Sequence, residues 1–159
     1  MKVLLVCTGN TCRSPIAEAL LTAELERQGG ADITVGSAGA AAWDGAPATA
    51  DAIQVMREVD GDLSSHRARY LTRSLVASSD LILGMTQEHL DYLRELGAGA
   101  KSFTFSEYAA GSNPAVDIAD PIGQGIEAYR VTRDTLAALS VKVAARILAA
   151  RGASDGAER

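Results

Sequence analysis

The chain has 159 residues, 47% of them hydrophobic, and a net charge of −5 with an isoelectric point near 5.0. That is enough chain and apolar content for one domain with a proper core, and the acidic balance excludes nucleic acid or an anionic membrane as the main partner. No apolar run approaches the roughly 18 residues of a membrane span; the apolar stretch after Lys2 is too short for a signal peptide, so a cytoplasmic protein with reduced cysteines is expected.

"KVLLV" (2–6) is a continuous, β-branched-rich apolar run, as in a strand buried on both faces. A helix follows from Pro15, with Ile16, Ala17, Leu20, Leu21 and Leu25 at helical spacing, and Gly29-Gly30 ends it. "ITVGSAG" (33–39) reads as a second strand running into a loop, and "ATADAIQVMREV" (48–59) as an amphipathic helix. "DLILGM" (80–85) predicts a third buried strand. "TQEHLDYLRELG" (86–97) predicts a helix with Thr86 as N-cap and Gly97 as its stop. "KSFTF" (101–105) is the fourth strand. Residues 113–125, with Pro and Gly, form a loop. A long helix is expected over 126–150, with Tyr129, Thr132, Leu136, Leu139, Val143 and Ile147 on one stripe. No linker divides residues 1–151, and 152–159 read as a disordered tail.

Strands alternating with helices imply a parallel sheet covered on both faces, with ligands bound beyond the carboxyl ends of the strands. "VCTGNTCRSP" (6–15) occupies that position. The pattern admits a metal site, a disulfide, a redox pair or an anion pocket. Cys7 ends a strand just before a helix N-terminus, where free amides and the helix dipole favour negative charge and suit a thiolate. Arg13 follows six residues later, and Gly9 lets the chain curl between them. Such a loop, Thr8, Gly9, Asn10, Thr11 and Cys12 leading to Arg13 and Ser14, can turn its N–H groups inward as a nest for phosphate. The Arg13 fork can hold two phosphate oxygens, and Ser14 can donate to the Cys7 sulfur. Cys7 and Cys12 have a zinc-like C-x4-C spacing, but His66 and His89 lie far off and complete no ligand set, so no metal is expected. The glycines do not match a Walker motif. A nucleophile inside a phosphate cradle is the reading that remains. For a general acid, spacing alone leaves Asp117 and Asp120 equal, and Asp120 before Pro121 could equally cap a helix.

"VCTGNTCRSPIAEALL", with "SAG" (37–39), "SSHRAR" (64–69) and Asp120-Pro121 before the final helix, resembles the low-molecular-weight protein tyrosine phosphatase family over roughly residues 1 to 150. The resemblance implies a flavodoxin-like α/β three-layer sandwich around a four-stranded parallel sheet. It also implies two-step, cofactor-free phosphoryl transfer through a phosphocysteine on Cys7, with Arg13 binding phosphate and Asp120 as the acid. Asn10, Ser37 and His66 match the family's supporting network; without it His66 is an ordinary histidine. Cys12 matches a partner that traps oxidised Cys7, against the plainer reading of a small buried side chain. Trp43 falls where the family has a pocket wall, against simple packing.

Threonine at Thr11, where tyrosine phosphatases carry a larger aliphatic residue, resembles the protein arginine phosphatase branch, as do "GMTQEH" (84–89) and "FTFSEYAAGS" (103–112). A smaller, polar Thr11 leaves room for a guanidinium and offers it a hydroxyl. Ile122 stands where both branches normally have an aromatic residue, so the substrate would pack on Ile122 and Trp43 without stacking. Phosphoarginine on proteins is the expected substrate and phosphotyrosine the alternative, with no nucleic-acid or membrane partner and a monomer as the expected state. An arsenate reductase would need a further cysteine outside the loop, and none exists.

Overall fold

Four parallel strands, β1 (Lys2–Cys7), β2 (Thr34–Gly39), β3 (Leu81–Gly84) and β4 (Ser102–Thr104), form one sheet in the order β2-β1-β3-β4. This computed structural model describes residues 1–111 and 116–157, with side chains to residue 154. The order reverses between β1 and its two neighbours, which makes the carboxyl end of β1 the switch point of a flavodoxin-like sheet. Cys7 pairs with Gly39 there, and Val6 pairs with Gly84.

The alternation of side chains along β1 separates two cores. Val3, Leu5 and Cys7 face a cluster with Ile16, Leu21 and Leu25 of α1 (Arg13–Arg27) and Leu136, Val143 and Ile147 of α6 (Ile126–Ala157). Leu4 and Val6 face the other side, against Val76 of α3 (Arg73–Ser78) and Leu93 of α4 (Gln87–Glu95). Two shorter helices, α2 (Ala50–Arg57) and α5 (Phe105–Ala110), flank α6. The apolar stripe expected on the last helix is buried along its length, with Leu139 partly covered. No helix of the described residues is long and apolar enough to cross a membrane.

Several boundaries differ from the sequence expectation. Helix α1 begins at Arg13 rather than Pro15, because a proline in the first turn lacks only an N–H that would have no helical partner. The fourth strand stops at Thr104, and Phe105 opens α5 instead of ending the strand. Thr104 and Glu107 form a reciprocal capping box that starts the helix. Helix α3 buries only Val76, too little for a periodic signal. The expected tail is helical as far as Ala157. Of the expected loop over 113–125, residues 116–125 have no helix or strand, and 113–115 lie outside the described residues.

The loop after β1 rests directly on the end of β2. A Cβ at Gly39 would lie 2.6 Å from the Thr8 carbonyl oxygen, 2.8 Å from Ala42 Cβ and 2.9 Å from the Asn10 nitrogen. Only glycine allows this approach. Gly39→Ala should therefore destabilise the protein by about 1–3 kcal/mol, measured by denaturant unfolding; an unchanged midpoint would show that the loop can lift away freely.

Candidate active site

Where β1 gives way to α1, the chain turns through residues 8–12 with Cys7 at the base. Cys7 is buried, and its Sγ accepts the Asn10 backbone N–H at 3.2 Å and lies 2.9 Å from Ser14 Oγ. Asn10 adopts the left-handed conformation, φ 55°, that asparagine tolerates better than most residues. Its carboxamide orientation is settled by chemistry. The Arg69 backbone N–H, which can only donate, bonds Asn10 Oδ1 at 2.9 Å. Nδ2 therefore donates, to Ser14 Oγ and to Ser37 Oγ, both at 2.9 Å. While its oxygen accepts from Asn10, Ser14 keeps its own proton free to donate to the Cys7 sulfur when that is a thiolate.

The network extends beyond the loop. His66 Nε2 donates to the Asn10 carbonyl oxygen at 2.7 Å, Arg69 Nε donates to the Ser37 carbonyl at 2.8 Å, and Ser37 Oγ donates to Glu18. The structure thus brings Asn10, Ser14, Ser37 and His66 together as expected. It adds Glu18 and Arg69, which lay inside quoted stretches but carried no sequence signal of their own, being ordinary charged residues until the fold closes around them.

Arg13 forms the rim. Its side chain is buried, with one terminal nitrogen donating to the Ile118 carbonyl at 3.0 Å. The other donates to Thr8 Oγ1 at 3.4 Å and lies 3.4 Å from Asp120 Oδ2. Above the loop opens a cavity of about 250 Å³, lined by Cys7, Gly9, Thr11 and Arg13 with Asp120 and Ile122 across from them. Its size suits one phosphorylated side chain rather than a drug-sized ligand. The two candidate acids part here. Asp117 accepts the Gln87 N–H at 2.8 Å, an amide of the first turn of α4, and does not line this cavity. Asp120 does line it.

Other expectations fare unequally. Ile122 lines the cavity while remaining half exposed. Trp43 does not line it; its side chain is 84% exposed, so it is neither a wall of this cavity nor part of the core. The reason is local, since the loop after β2 turns back through Gly45 to bond Ala68 and leaves the indole outside. Cys12 is buried with its Sγ 3.3 Å from Tyr129 Oη and 3.7 Å from Thr49 Oγ1, and both cysteines are free thiols. Thr11 is tied through its carbonyl to the Thr49 N–H at 3.0 Å.

A buried sulfur with two donors on it, a guanidinium at the rim and a carboxylate opposite can bind a tetrahedral anion and attack it. Comparison with known proteins agrees with this geometry. The low molecular weight phosphotyrosine protein phosphatase family matches residues 2–152. A protein-arginine-phosphatase of Bacillus subtilis is 40% identical over 149 residues, covering 92% of this chain and 97% of the relative. A probable low molecular weight protein-tyrosine-phosphatase, EpsP, of Ralstonia nicotianae is 40% identical over 127 residues, 80% of this chain and 82% of the relative. Among solved structures, a Cys-to-Ser mutant of the YwlE arginine phosphatase with its active-site serine phosphorylated superposes with a TM-score of 0.84 at 39% identity, covering 92% of this chain and 95% of that one.

The Asn10 side chain offers a direct test. Asn10→Asp keeps the size and the acceptor for Arg69 but removes the donor to Ser14 and competes for the Ser14 proton. Alkylation of Cys7 by iodoacetamide at neutral pH should slow by about tenfold or more. An unchanged rate would mean that Ser14 serves the sulfur without Asn10.

Proposed function

The chain belongs to the low molecular weight phosphotyrosine protein phosphatase family, and from that premise we propose that it hydrolyses phosphoarginine on protein substrates through a phosphocysteine on Cys7. The observation that carries the substrate is Thr11, a small hydroxyl-bearing residue lining the cavity between Cys7 and Arg13, in a chain 40% identical to an arginine phosphatase over nearly its whole length. The Cys7 thiolate attacks phosphorus while the P–N bond to the substrate guanidinium breaks. Asp120 gives its proton to the departing nitrogen, which leaves as a neutral or cationic guanidine rather than an anion. The loop N–H groups and Arg13 hold the phosphoryl oxygens as charge develops on them. Water then attacks the phosphocysteine, Asp120 takes the proton, phosphate departs, and the Ser14 hydroxyl receives the returning thiolate. No step needs a metal or cofactor.

Phosphotyrosine is the competing substrate, favoured by the Ralstonia relative and by the apolar Ile122 at the cavity mouth. The free thiols of Cys7 and Cys12 suit a reducing compartment such as the cytoplasm. Cys12, next to Arg13 in the same loop, is proposed to trap oxidised Cys7 as a disulfide. Mild peroxide should then inactivate reversibly, and Cys12→Ser should make the loss largely irreversible; equal recovery of both proteins by thiol would remove that role.

Thr11→Ile tests the substrate. The added bulk and lost hydroxyl should crowd a guanidinium while suiting a phenol ring. The kcat/KM ratio of phosphoarginine to phosphotyrosine peptides should fall by roughly 10- to 200-fold. A wild type that already prefers phosphotyrosine would transfer the enzyme to that substrate. For the acid, Asp120→Asn should cost about 10²–10⁴-fold in kcat on poor leaving groups, whereas Asp117→Asn should lose little beyond its contact with α4.

A further inference from the structure

His89 lies on α4, outside the loop and outside the network around Asn10, yet it is 5% exposed and its ring meets Thr8, which lines the cavity. Its two ring nitrogens do different things. Nδ1 accepts the Thr86 backbone N–H at 3.2 Å, within a capping box that also has the Thr86 hydroxyl accepting the His89 N–H. A backbone N–H can only donate, so Nδ1 carries no proton and the ring is the neutral tautomer with hydrogen on Nε2. Nε2 then donates to Thr8 Oγ1 at 2.9 Å. Burial, followed by the nearby charge of Arg13, pulls the imidazole pKa down to about 4 against the opposing pull of Asp117 and Asp120, which keeps the ring uncharged at neutral pH.

The cap alone does not call for histidine. Glutamate or glutamine at this position closes a capping box, and neither would bury an aromatic ring. What the imidazole adds is the second nitrogen, aimed across at Thr8. The same Thr8 oxygen accepts from Arg13 at 3.4 Å, and the other terminal nitrogen of Arg13 is held by the Ile118 carbonyl at 3.0 Å. Thr8 is an exposed side chain, and His89 gives its hydroxyl a second, shorter contact beside the one from Arg13. Gly84 leaves room for this arrangement, since a Cβ there would stand 3.0 Å from His89 Cβ.

We propose that His89 is a positioning residue for Arg13, acting through the Thr8 hydroxyl. Its Nε2–H fixes the Thr8 side chain, and the fixed Thr8 oxygen anchors one of the two terminal nitrogens of the guanidinium. The remaining N–H groups of Arg13 are thereby directed at a phosphoryl group in the cavity that it lines. The inference rests on the phosphatase reading above and adds to it a residue from a different element.

The test compares wild type, His89→Asn, His89→Gln, Thr8→Val and the double variant His89→Asn/Thr8→Val. The readouts are kcat/KM on p-nitrophenyl phosphate and the inhibition constant of inorganic phosphate. Asparagine can keep the acceptor that caps α4 but cannot reach Thr8; glutamine can close the box with its carboxamide oxygen and present an N–H near the position of Nε2. His89→Asn should lower kcat/KM and weaken phosphate binding by about 3- to 10-fold, while His89→Gln recovers most of that loss. In the Thr8→Val background, His89→Asn should change neither quantity by more than about twofold. The inference is overturned if glutamine is the more damaging substitution, if asparagine is harmless, or if asparagine costs as much without the Thr8 hydroxyl as with it. A wild type without p-nitrophenyl phosphate turnover would defeat the phosphatase reading first, and this inference with it; the variants matter only once that turnover is seen.

Discussion

The carboxamide of Asn10 is the junction on which the site depends. Its oxygen is fixed by the Arg69 N–H, its nitrogen serves Ser14 and Ser37, its backbone N–H meets the Cys7 sulfur, and its carbonyl accepts from His66. One fully buried side chain thus ties together the loop after β1, the first turn of α1, strand β2 and the segment over 64–70. A buried polar group left without a partner costs about 1–3 kcal/mol, so the network tolerates little loosening, and its bonds strengthen one another in a dry interior. The sheet order makes the junction possible. Because β1 and β2 pair in parallel, Cys7 and Ser37 arrive at the same end, and Gly39 lets the loop settle against β2.

The electrostatics are local. In an acidic chain, the cavity brings together the Arg13 guanidinium and the N-terminal end of α1, which both favour an anion. Asp120 lies 3.4 Å from Arg13 and is 42% exposed, so their attraction is weak and easily exchanged. In the proposed reaction an incoming phosphoryl group takes over the guanidinium and leaves the carboxylate to the leaving atom. Asp117, by contrast, is committed to an amide of α4.

How much of this was legible in the sequence depended on distance along the chain. Cys7, Arg13 and Ser14 share one short loop, so their relation could be read from spacing and the helix that follows. The buried strands β1 and β3 announced themselves as continuous apolar runs. Helices α3 and α5 did not, because each is a turn or two long and buries few residues; α5 carried a readable Thr104–Glu107 capping box that the apolar "KSFTF" masked. Ser37 and His66 became visible only through a family resemblance. Glu18, Arg69 and His89 were invisible as site residues because their roles come from contacts 19, 59 and 81 positions apart. Trp43 shows the converse: an aromatic residue in a suggestive position was left outside by the path of its loop.

These observations converge on Cys7 as a nucleophile in a cradle that is assembled before substrate arrives. Rapid-quench trapping during turnover of a labelled phosphopeptide, with EDTA present and peptide mapping of the acid-quenched protein, tests that claim directly. The account predicts label on the peptide carrying Cys7, reaching its plateau within the first turnover. Turnover without protein-bound label, or label on a residue other than Cys7, would contradict it.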